Sequence, residues 1–247
     1  VAVAGNGAYI RASNSEFGLN PIISELKDLE AKRYESVVFE DFDEQQYMLV
    51  SDEGDIGVAS GTPWKKGPVP LEYAITGLGP IHIRIAQFDY MKQVLEKVML
   101  MQEVATEGDL HLFETGEGGN GASVIVEKNI MLPAGRQGYG TVHHVAFRVD
   151  DKKMLLQWLE HMESAGFHSS GYVDRFFFES IYVRVAPGIL FEWATDGPGF
   201  MGDEPYETVG EKLSLPPFLE PKRDYIESVV RPIDTTRSTK EIEKEYF

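Results

Sequence analysis

The sequence predicts an α+β protein made of tandem βαβββ units, whose curved mixed sheets form a cup. The first observation is an internal repeat of roughly 50–60 residues, a period typical of repeated structural units. The second is that the first strands of two repeats align, with Ile81–Ile85 on Val145–Val149. The third is that each of these strands is followed by a helix with an apolar stripe and then by about three more strands.

Composition excludes several classes of function. The chain has 247 residues, 43% hydrophobic and 26% charged, which is ordinary for a globular protein. Its net charge of −17 repels nucleic acid and anionic membranes, so we expect neither as a partner. The absence of cysteine excludes disulfides and thiolate chemistry. No apolar run approaches the roughly 20 residues that span a bilayer. With no visible secretory signal, a cytoplasmic location is expected.

Residues 1–76 are predicted to form a degenerate or incomplete unit followed by a linker. Asn20-Pro21 is typical of a helix start, because an N-cap precedes a proline at the first helical position. The apolar stripe of this helix continues to about Arg33. Short strands are predicted at 36–39 and 46–50. Residues 52–75 combine glycine, proline and charge, and are interpreted as a connector.

The unit at 77–135 has the full pattern. Residues 80–85 alternate as a strand, and Asp89 is predicted to cap the helix that follows. The apolar positions of this helix have 3-4-3-4 spacing and are Met91, Val94, Leu95, Val98 and Met99. Further strands are predicted around Val104, at 110–113 and at 122–126.

The unit at 136–200 repeats this plan and is predicted to bear the metal site. A strand at 142–149 leads to Asp150 and Asp151, which are predicted to cap a helix that ends at Gly166. Strands are predicted near 171–173, 180–185 and 189–195. The apolar stripe of the helix comprises Met154, Leu155, Trp158, Leu159 and Met162.

Residues 201–247 are predicted to form a C-terminal tail that packs back on the last unit. Short helices are predicted at 207–213 and 221–230. The apolar residues of this region are too numerous for a free tail, and they are Phe200, Leu213, Leu215, Phe218 and Leu219.

Alternation divides the strands of the last unit into an apolar and a polar face. On the first strand, His143 falls with the apolar residues on the face suited to a core. If the polar faces line a concave sheet, a histidine and a carboxylate converge there, a pair that suits Fe(II), Mn(II) or Zn(II). The alternative is a solvated face on which the carboxylate pairs with an arginine, and the pattern alone leaves both open. The polar residues are His144, Arg148, Tyr182, Arg184 and Glu192.

Four stretches carry a resemblance to a known family. They are Gly-Thr-Val-His-His-Val-Ala-Phe-Arg-Val at 140–149, Val-Asp-Arg-Phe-Phe-Phe-Glu-Ser-Ile-Tyr at 173–182, Gly-Ile-Leu-Phe-Glu-Trp-Ala-Thr-Asp-Gly-Pro-Gly-Phe at 188–200 and Val-Gly-Glu-Lys-Leu at 209–213. With them, residues 138–219 closely resemble the ring-cleaving dioxygenases of the vicinal oxygen chelate superfamily, in the hydroquinone-type branch. Residues 36–135 resemble the middle of such proteins more loosely.

The resemblance implies an activity, a cofactor and a set of residues. The activity is Fe(II)-dependent, extradiol-type ring cleavage of a hydroquinone or related phenol by O2, with Mn, Zn or Ni as alternative metals. His144 and Glu192 would be metal ligands within a 2-His-1-carboxylate set, and His143, Arg175 and Tyr182 would be catalytic. A homodimer is a further expectation. Two other classes stay open: a glyoxalase-like lyase or thiol transferase of the same fold, and a non-catalytic small-molecule-binding protein.

One ligand of that set has no counterpart in the sequence. The family takes its other histidine from an N-terminal unit, whereas residues 1–76 contain no histidine. We therefore expect the complete first unit to lie upstream of Val1. His82 is a weaker candidate, because Pro80 occupies the aligned ligand position and His82 lies two residues later. The other histidines, interpreted as structural or surface residues, are His111, His161 and His168.

Overall fold

The computed structural model of the chain describes residues 8–12, 36–43, 45–51, 57–65, 69–131, 135–138, 140–233 and 235. Within these ranges the strands form three four-stranded sheets. The predicted helix at 20–33 lies outside the described residues. None of the helices in these ranges is long and apolar enough to cross a membrane.

The first sheet has the strand order β2-β3-β1-β4. Its strands are β1 (Ala8–Ala12), β2 (Ser36–Glu40), β3 (Gln46–Ser51) and β4 (Ile75–Leu78). The strands predicted at 36–39 and 46–50 are therefore present. β4 pairs antiparallel with β1, so this sheet extends to Leu78, slightly beyond the predicted linker.

The second sheet contains the strands predicted for the unit at 77–135. These are β5 (Ile81–Ile85), β6 (Gln102–Glu107), β7 (Leu110–Glu114) and β8 (Ser123–Lys128), in the order β5-β8-β7-β6 with β5 parallel to β8.

The helix of this unit, α1 (Phe88–Gln93), continues as a π-helical turn at Val94–Val98. The prediction that Asp89 caps this helix is wrong, because the N-cap is Gln87 and its side chain makes no capping hydrogen bond. Asp89 lies in the first turn instead, where its charge is favourable at the positive end of the helix dipole.

The third sheet repeats the strand order of the second. Its strands are β9 (Val145–Val149), β10 (Val173–Asp174), β11 (Glu179–Ala186) and β12 (Ile189–Thr195), in the order β10-β11-β12-β9 with β12 parallel to β9. The two matching sheets, each with its helix after the first strand, confirm the prediction of tandem βαβββ units.

The helix of the third unit, α2 (Lys152–Ser164), begins and ends as the sequence predicts. Asp151 is its N-cap, with Oδ1 accepting the Met154 N–H at 2.8 Å. Gly166 adopts a φ of +89° just beyond the last turn, in the left-handed region that glycine enters without strain.

The first strand of the third sheet is shorter than predicted, and this changes the place of one histidine. β9 begins at Val145, so His143 and His144 lie just before it, outside the alternation of the strand. The prediction that His143 points into the core is wrong, because its side chain is exposed.

One hydrophobic core joins the second and third units. Residues of α1, α2 and the helix-facing sides of both sheets form a single buried cluster, which includes Ile83, Leu95, Leu155, Phe191 and Trp193. Two hydrogen bonds also cross between the units: the Tyr90 hydroxyl donates to the Val185 carbonyl at 2.8 Å, and His161 Nε2 lies 2.9 Å from the Val98 carbonyl. His161 is thus a structural residue, as predicted.

The C-terminal region contains a helix, α3 (Arg223–Val229), within the predicted range 221–230. The prediction of a helix at 207–213 is wrong, because this stretch forms turns, in which Gly210 has a φ of +87°. None of the described residues after Thr195 is buried, although Phe200 stacks its ring on that of Phe177. The division of the chain into four regions, with a packing tail, stays a prediction.

Candidate metal centre

The third sheet brings the predicted site residues together through its register. β9, β12 and β11 lie side by side, so that Ala146 is opposite Glu192 and Glu192 is opposite Tyr182. All three lie on the face away from the buried apolar side chains. His144 precedes β9, and its side chain nevertheless reaches Glu192 of this row.

His144 and Glu192 form the centre of the site. Nε2 of His144 lies 2.5 Å from Oε2 of Glu192, so their metal-binding atoms point at one place. Glu192 is only 3% exposed, between Phe191 and Trp193 on an otherwise apolar strand. Its second oxygen, Oε1, is buried and accepts no hydrogen bond of normal geometry from the described residues. A buried carboxylate oxygen without a partner is costly, and a metal ion would satisfy it.

The carboxyl group of Glu192 is held in its ionised form. Burial raises the pKa of Glu192, but the hydrogen bonds from His144 and Tyr182 outweigh burial and bring the pKa below its ordinary value. The group is therefore an anion at neutral pH, which is the form that binds a cation.

Tyr182 closes one side of the site. Its ring meets that of His144 edge to face, with centroids 5.7 Å apart. Burial, together with the neighbouring Glu192, raises the pKa of Tyr182, so its hydroxyl keeps its proton at neutral pH. The Arg175 guanidinium lies over the Tyr182 ring, with Cζ 5.1 Å from the ring centroid, as in a cation–π contact.

His143 contacts His144, the candidate metal ligand, rather than the core. Its Nδ1 lies 2.8 Å from Nδ1 of His144, so one ring must donate and the other accept. Burial and the adjacent His144 lower the pKa of His143, which favours its neutral form. The second nitrogen of the His143 ring is left for other contacts.

Ser180 is the residue of this site that the sequence analysis did not single out. It is completely buried, two residues before Tyr182 on the same face of β11, and its Oγ makes no hydrogen bond of normal geometry within the described chain. Its hydroxyl nevertheless contributes to lowering the pKa of Glu192. The alternation that selected Tyr182 also selects Ser180, but a single serine in a strand carries no chemical signal by itself.

Glu192 is buried and pairs with none of the arginines in the described ranges, so the solvated-face alternative is not the arrangement found there. Arg148 points into solvent and pairs with Asp196, with Nε 2.9 Å from Oδ1. Arg184 is exposed and forms no ion pair with Glu192 in the described structure.

His82 lies in a different environment on the second sheet. Its Nε2 is 3.0 Å from Oε2 of Glu127, which also accepts a hydrogen bond from Nε of Arg84 at 2.9 Å. The residue opposite His82 in the register is Ile125, at the position that Glu192 occupies in the third sheet. His82 is therefore part of an ion-pair network that lacks the carboxylate of a metal site at the equivalent position.

The donor set fits a metal ion as two parts of a facial triad. An imidazole and a carboxylate that converge, one with an unsatisfied buried oxygen, match two ligands of the 2-His-1-carboxylate type. No third histidine, aspartate or glutamate completes such a group within the ranges that the structure describes. The roles predicted for His144, Glu192, His143, Arg175 and Tyr182 stay predictions.

Proteins similar to this chain in sequence are named as ring-cleaving dioxygenases. No family model matches the chain. MhqA of Bacillus subtilis (strain 168), whose name assigns it provisionally to the ring-cleaving dioxygenases, is 39% identical over 203 residues, or 80% of this chain. The chlorohydroquinone/hydroquinone 1,2-dioxygenase of Sphingobium indicum is 29% identical over 165 residues, or 66% of this chain.

The structural comparison agrees with the sequence comparison. A crystal structure from Bacillus subtilis subsp. subtilis str. 168, named provisionally as a dioxygenase, has a TM-score of 0.72 at 29% identity and covers 95% of this chain and 77% of its own. The chain is thus similar to proteins named as ring-cleaving dioxygenases. It spans 63% of the length of MhqA and 51% of that of the Sphingobium enzyme. The fold and family resemblance predicted from residues 138–219 are thus confirmed.

Proposed function

We propose that this relative of the ring-cleaving dioxygenases takes part in Fe(II)-dependent, extradiol-type cleavage of a hydroquinone or related phenol by O2. The observation that carries the proposal is the His144–Glu192 pair with the unsatisfied Oε1 of Glu192. Relatives named for ring cleavage, one of them for hydroquinones, support the substrate class. The absence of nucleic-acid and membrane partners, the homodimer and the cytoplasmic location stay predictions.

Iron is favoured over other metals by the kind of ligands present. A 2-His-1-carboxylate triad with open positions is typical of non-haem Fe(II) oxygenases, and Mn, Zn and Ni are the alternatives to test. The bound ion would supply a place where the phenolate oxygen and O2 meet and exchange charge.

The two ligand residues have defined protonation states in this role. To hold a cation, Nε2 of His144 must be free of hydrogen, so that its Nδ1 carries the proton. That Nδ1–H then donates to Nδ1 of His143, which fixes the tautomer and the ring orientation of the ligand. Glu192 is already an anion, and needs no proton loss.

The remaining polar residues handle the substrate. The Tyr182 hydroxyl keeps its single proton, which it can donate to a substrate oxygen in place of Glu192 once the carboxylate holds a metal ion. The Arg175 guanidinium stabilises anionic oxygen, a preorganised role in which no group has to reorient during the reaction. His143 is exposed beside His144, so it can orient substrate and exchange a proton with it.

The direct test is oxygen uptake by the iron-loaded protein. The native polypeptide, loaded with Fe(II) without oxygen and then given a hydroquinone and air, should consume O2 stoichiometrically and form a ring-opened acid. His144→Ala and Glu192→Ala should abolish metal retention. Arg148→Ala is the matched control, because Arg148 lies on β9 but pairs with Asp196 in solvent.

Each alternative has its own outcome. Equal activity with Zn(II) or Ni(II) on a hemithioacetal, with no oxygen uptake on any phenol, would identify a glyoxalase-like enzyme. Ligand binding that survives His144→Ala without metal would identify a binding protein.

A further inference from the structure

A tight turn carries Arg175 between β10 and β11. The Arg175 backbone N–H donates to the Phe178 carbonyl at 2.9 Å, and the Phe176 N–H donates to Oδ1 of Asp174 at 2.8 Å. Phe176 has a φ of +71°, a left-handed conformation that is uncommon for a bulky side chain. Such a conformation persists only where surrounding contacts hold it. The contacts that hold this turn therefore influence the direction of the Arg175 side chain.

Those contacts come from the segment that directly follows β12. The Gly199 N–H donates to the Phe177 carbonyl at 2.7 Å, and the Phe177 and Phe200 rings stack with centroids 5.1 Å apart and planes at 27°. Thr195, the last residue of β12, accepts the Glu179 N–H on its Oγ1 at 3.0 Å. The strand that carries Glu192 thus continues directly into the contacts that hold the Arg175 turn.

The guanidinium itself has no charged anchor. Arg175 forms no ion pair within the described residues, and its contact is with the face of the Tyr182 ring. A cation–π contact at a partly open site is weak, and an arginine side chain has many rotamers to choose from. The direction of the side chain therefore depends on the backbone of its turn.

We propose that Phe177 and Phe200, here called the aromatic clamp, are positioning residues that hold the Arg175 guanidinium over Tyr182 and toward the substrate. The proposal rests on the proposed function, in which Arg175 acts on the substrate. Phe200 is 65% exposed, so packing in a core does not explain an aromatic residue at this position. Its described ring contact is with Phe177, and the clamp gives that contact a role.

The experiment compares Phe200→Ala with Phe218→Ala. Phe218 is a matched control, because it is 74% exposed in the same C-terminal region and makes no ring contact in the described structure. In the metal-free protein, the ring current of Tyr182 should shift the NMR signals of the Arg175 Cδ protons, assigned by their loss in Arg175→Lys. Phe200→Ala should move these signals toward random-coil values, Phe218→Ala should leave them unchanged, and Phe200→Tyr should restore them.

The kinetic arm uses the iron-loaded protein with a hydroquinone. Misplacement of a catalytic group by about 1 Å costs on the order of 10²-fold in rate, so Phe200→Ala should lower kcat about 10- to 100-fold with KM and iron content little changed. Phe200→Tyr should recover most of this loss.

The outcomes separate the clamp from the proposed function. Arg175 signals that are the same in Phe200→Ala, Phe218→Ala and the parent protein would overturn the proposal. Loss of iron in Phe200→Ala would also overturn it, since the residue would then support the metal site rather than Arg175. If the parent protein consumes no O2 but the NMR signals respond as expected, the clamp stands and the ring-cleavage function fails.

Discussion

Replacing Glu127 by glutamine tests whether the ion pairs on the polar face of the second sheet stabilise the fold. The Glu127 carboxylate is held by His82 at 3.0 Å and Arg84 at 2.9 Å, and its Oε1 accepts from Asn129 at 3.2 Å. The hydrogen bond from His82 and the charge of Arg84 outweigh burial and lower the pKa of Glu127 from 4.5 to about 2. Lowering the pKa of Glu127 from 4.5 to about 2 corresponds to about 3 kcal/mol before solvent screening is taken into account. Because part of the group faces water, we expect Glu127→Gln to cost about 2 kcal/mol at neutral pH.

The stability difference between the parent protein and Glu127→Gln should depend on pH. Since the folded pKa is lowered, the stabilisation is fully present above pH 4.5, the ordinary pKa, and is lost as pH falls toward 2. The difference between the parent protein and Glu127→Gln should therefore shrink by about half near pH 3. Burial also lowers the pKa of His82, so its protonation in acid destabilises the fold in the same direction in the parent protein.

Urea unfolding, followed by tryptophan fluorescence at several pH values, measures the effect. Glu160→Gln is the control, because Glu160 is exposed on α2 and forms no ion pair in the described structure. A stability difference that stays constant from neutral pH to about pH 3 would refute the electrostatic explanation. Loss of bound iron in Glu127→Gln would refute the structural interpretation of His82 and make it a ligand candidate again.

Three further changes test the site and the fold. Ser180→Ala should weaken Fe(II) binding about 10- to 100-fold without unfolding the protein, because it removes a buried hydroxyl beside Glu192; unchanged affinity in a calorimetric titration would contradict this. Arg175→Ala should spare the metal and lower kcat for O2 uptake by about 10²–10³-fold, whereas loss of iron would show a structural role. Asp151→Ala should cost about 1 kcal/mol in urea unfolding, because it removes the acceptor of the Met154 N–H; equal stability would show that water caps the helix as well.

Local signals account for what the sequence predicted well. The capping aspartate, the apolar stripe and Gly166 all act within a few residues of one another, so α2 could be predicted at both ends. The same holds for the faces of β11 and β12, since alternation in a strand is a property of the chain itself. Tyr182 and Glu192 were placed together for that reason, and the register confirms that they are opposite each other.

The incorrect predictions concern choices that depend on distant partners. Whether alternation extends back to His143 depends on where β12 stops pairing with β9, and the ladder ends at Val145. Gln87 rather than Asp89 begins α1, because the helix starts where the chain leaves β5 rather than where the best capping side chain stands. Ser180 gained its position beside Glu192 from a strand pairing that no local pattern specifies.

The two repeated sheets differ at a few positions that distinguish the candidate metal centre from a structural network. Both sheets have a parallel pair of first and last strands, and the register places Ile125 opposite His82 in one and Glu192 opposite Ala146 in the other. An isoleucine at that position cannot bind a cation, and Pro80 stands where the third unit has His144. In the second sheet, His82 and Arg84 instead both lie within ion-pair distance of Glu127. The two sheets thus present the same row of positions, and the side chains at two of these positions decide which row carries the histidine and the carboxylate that a metal ion would need.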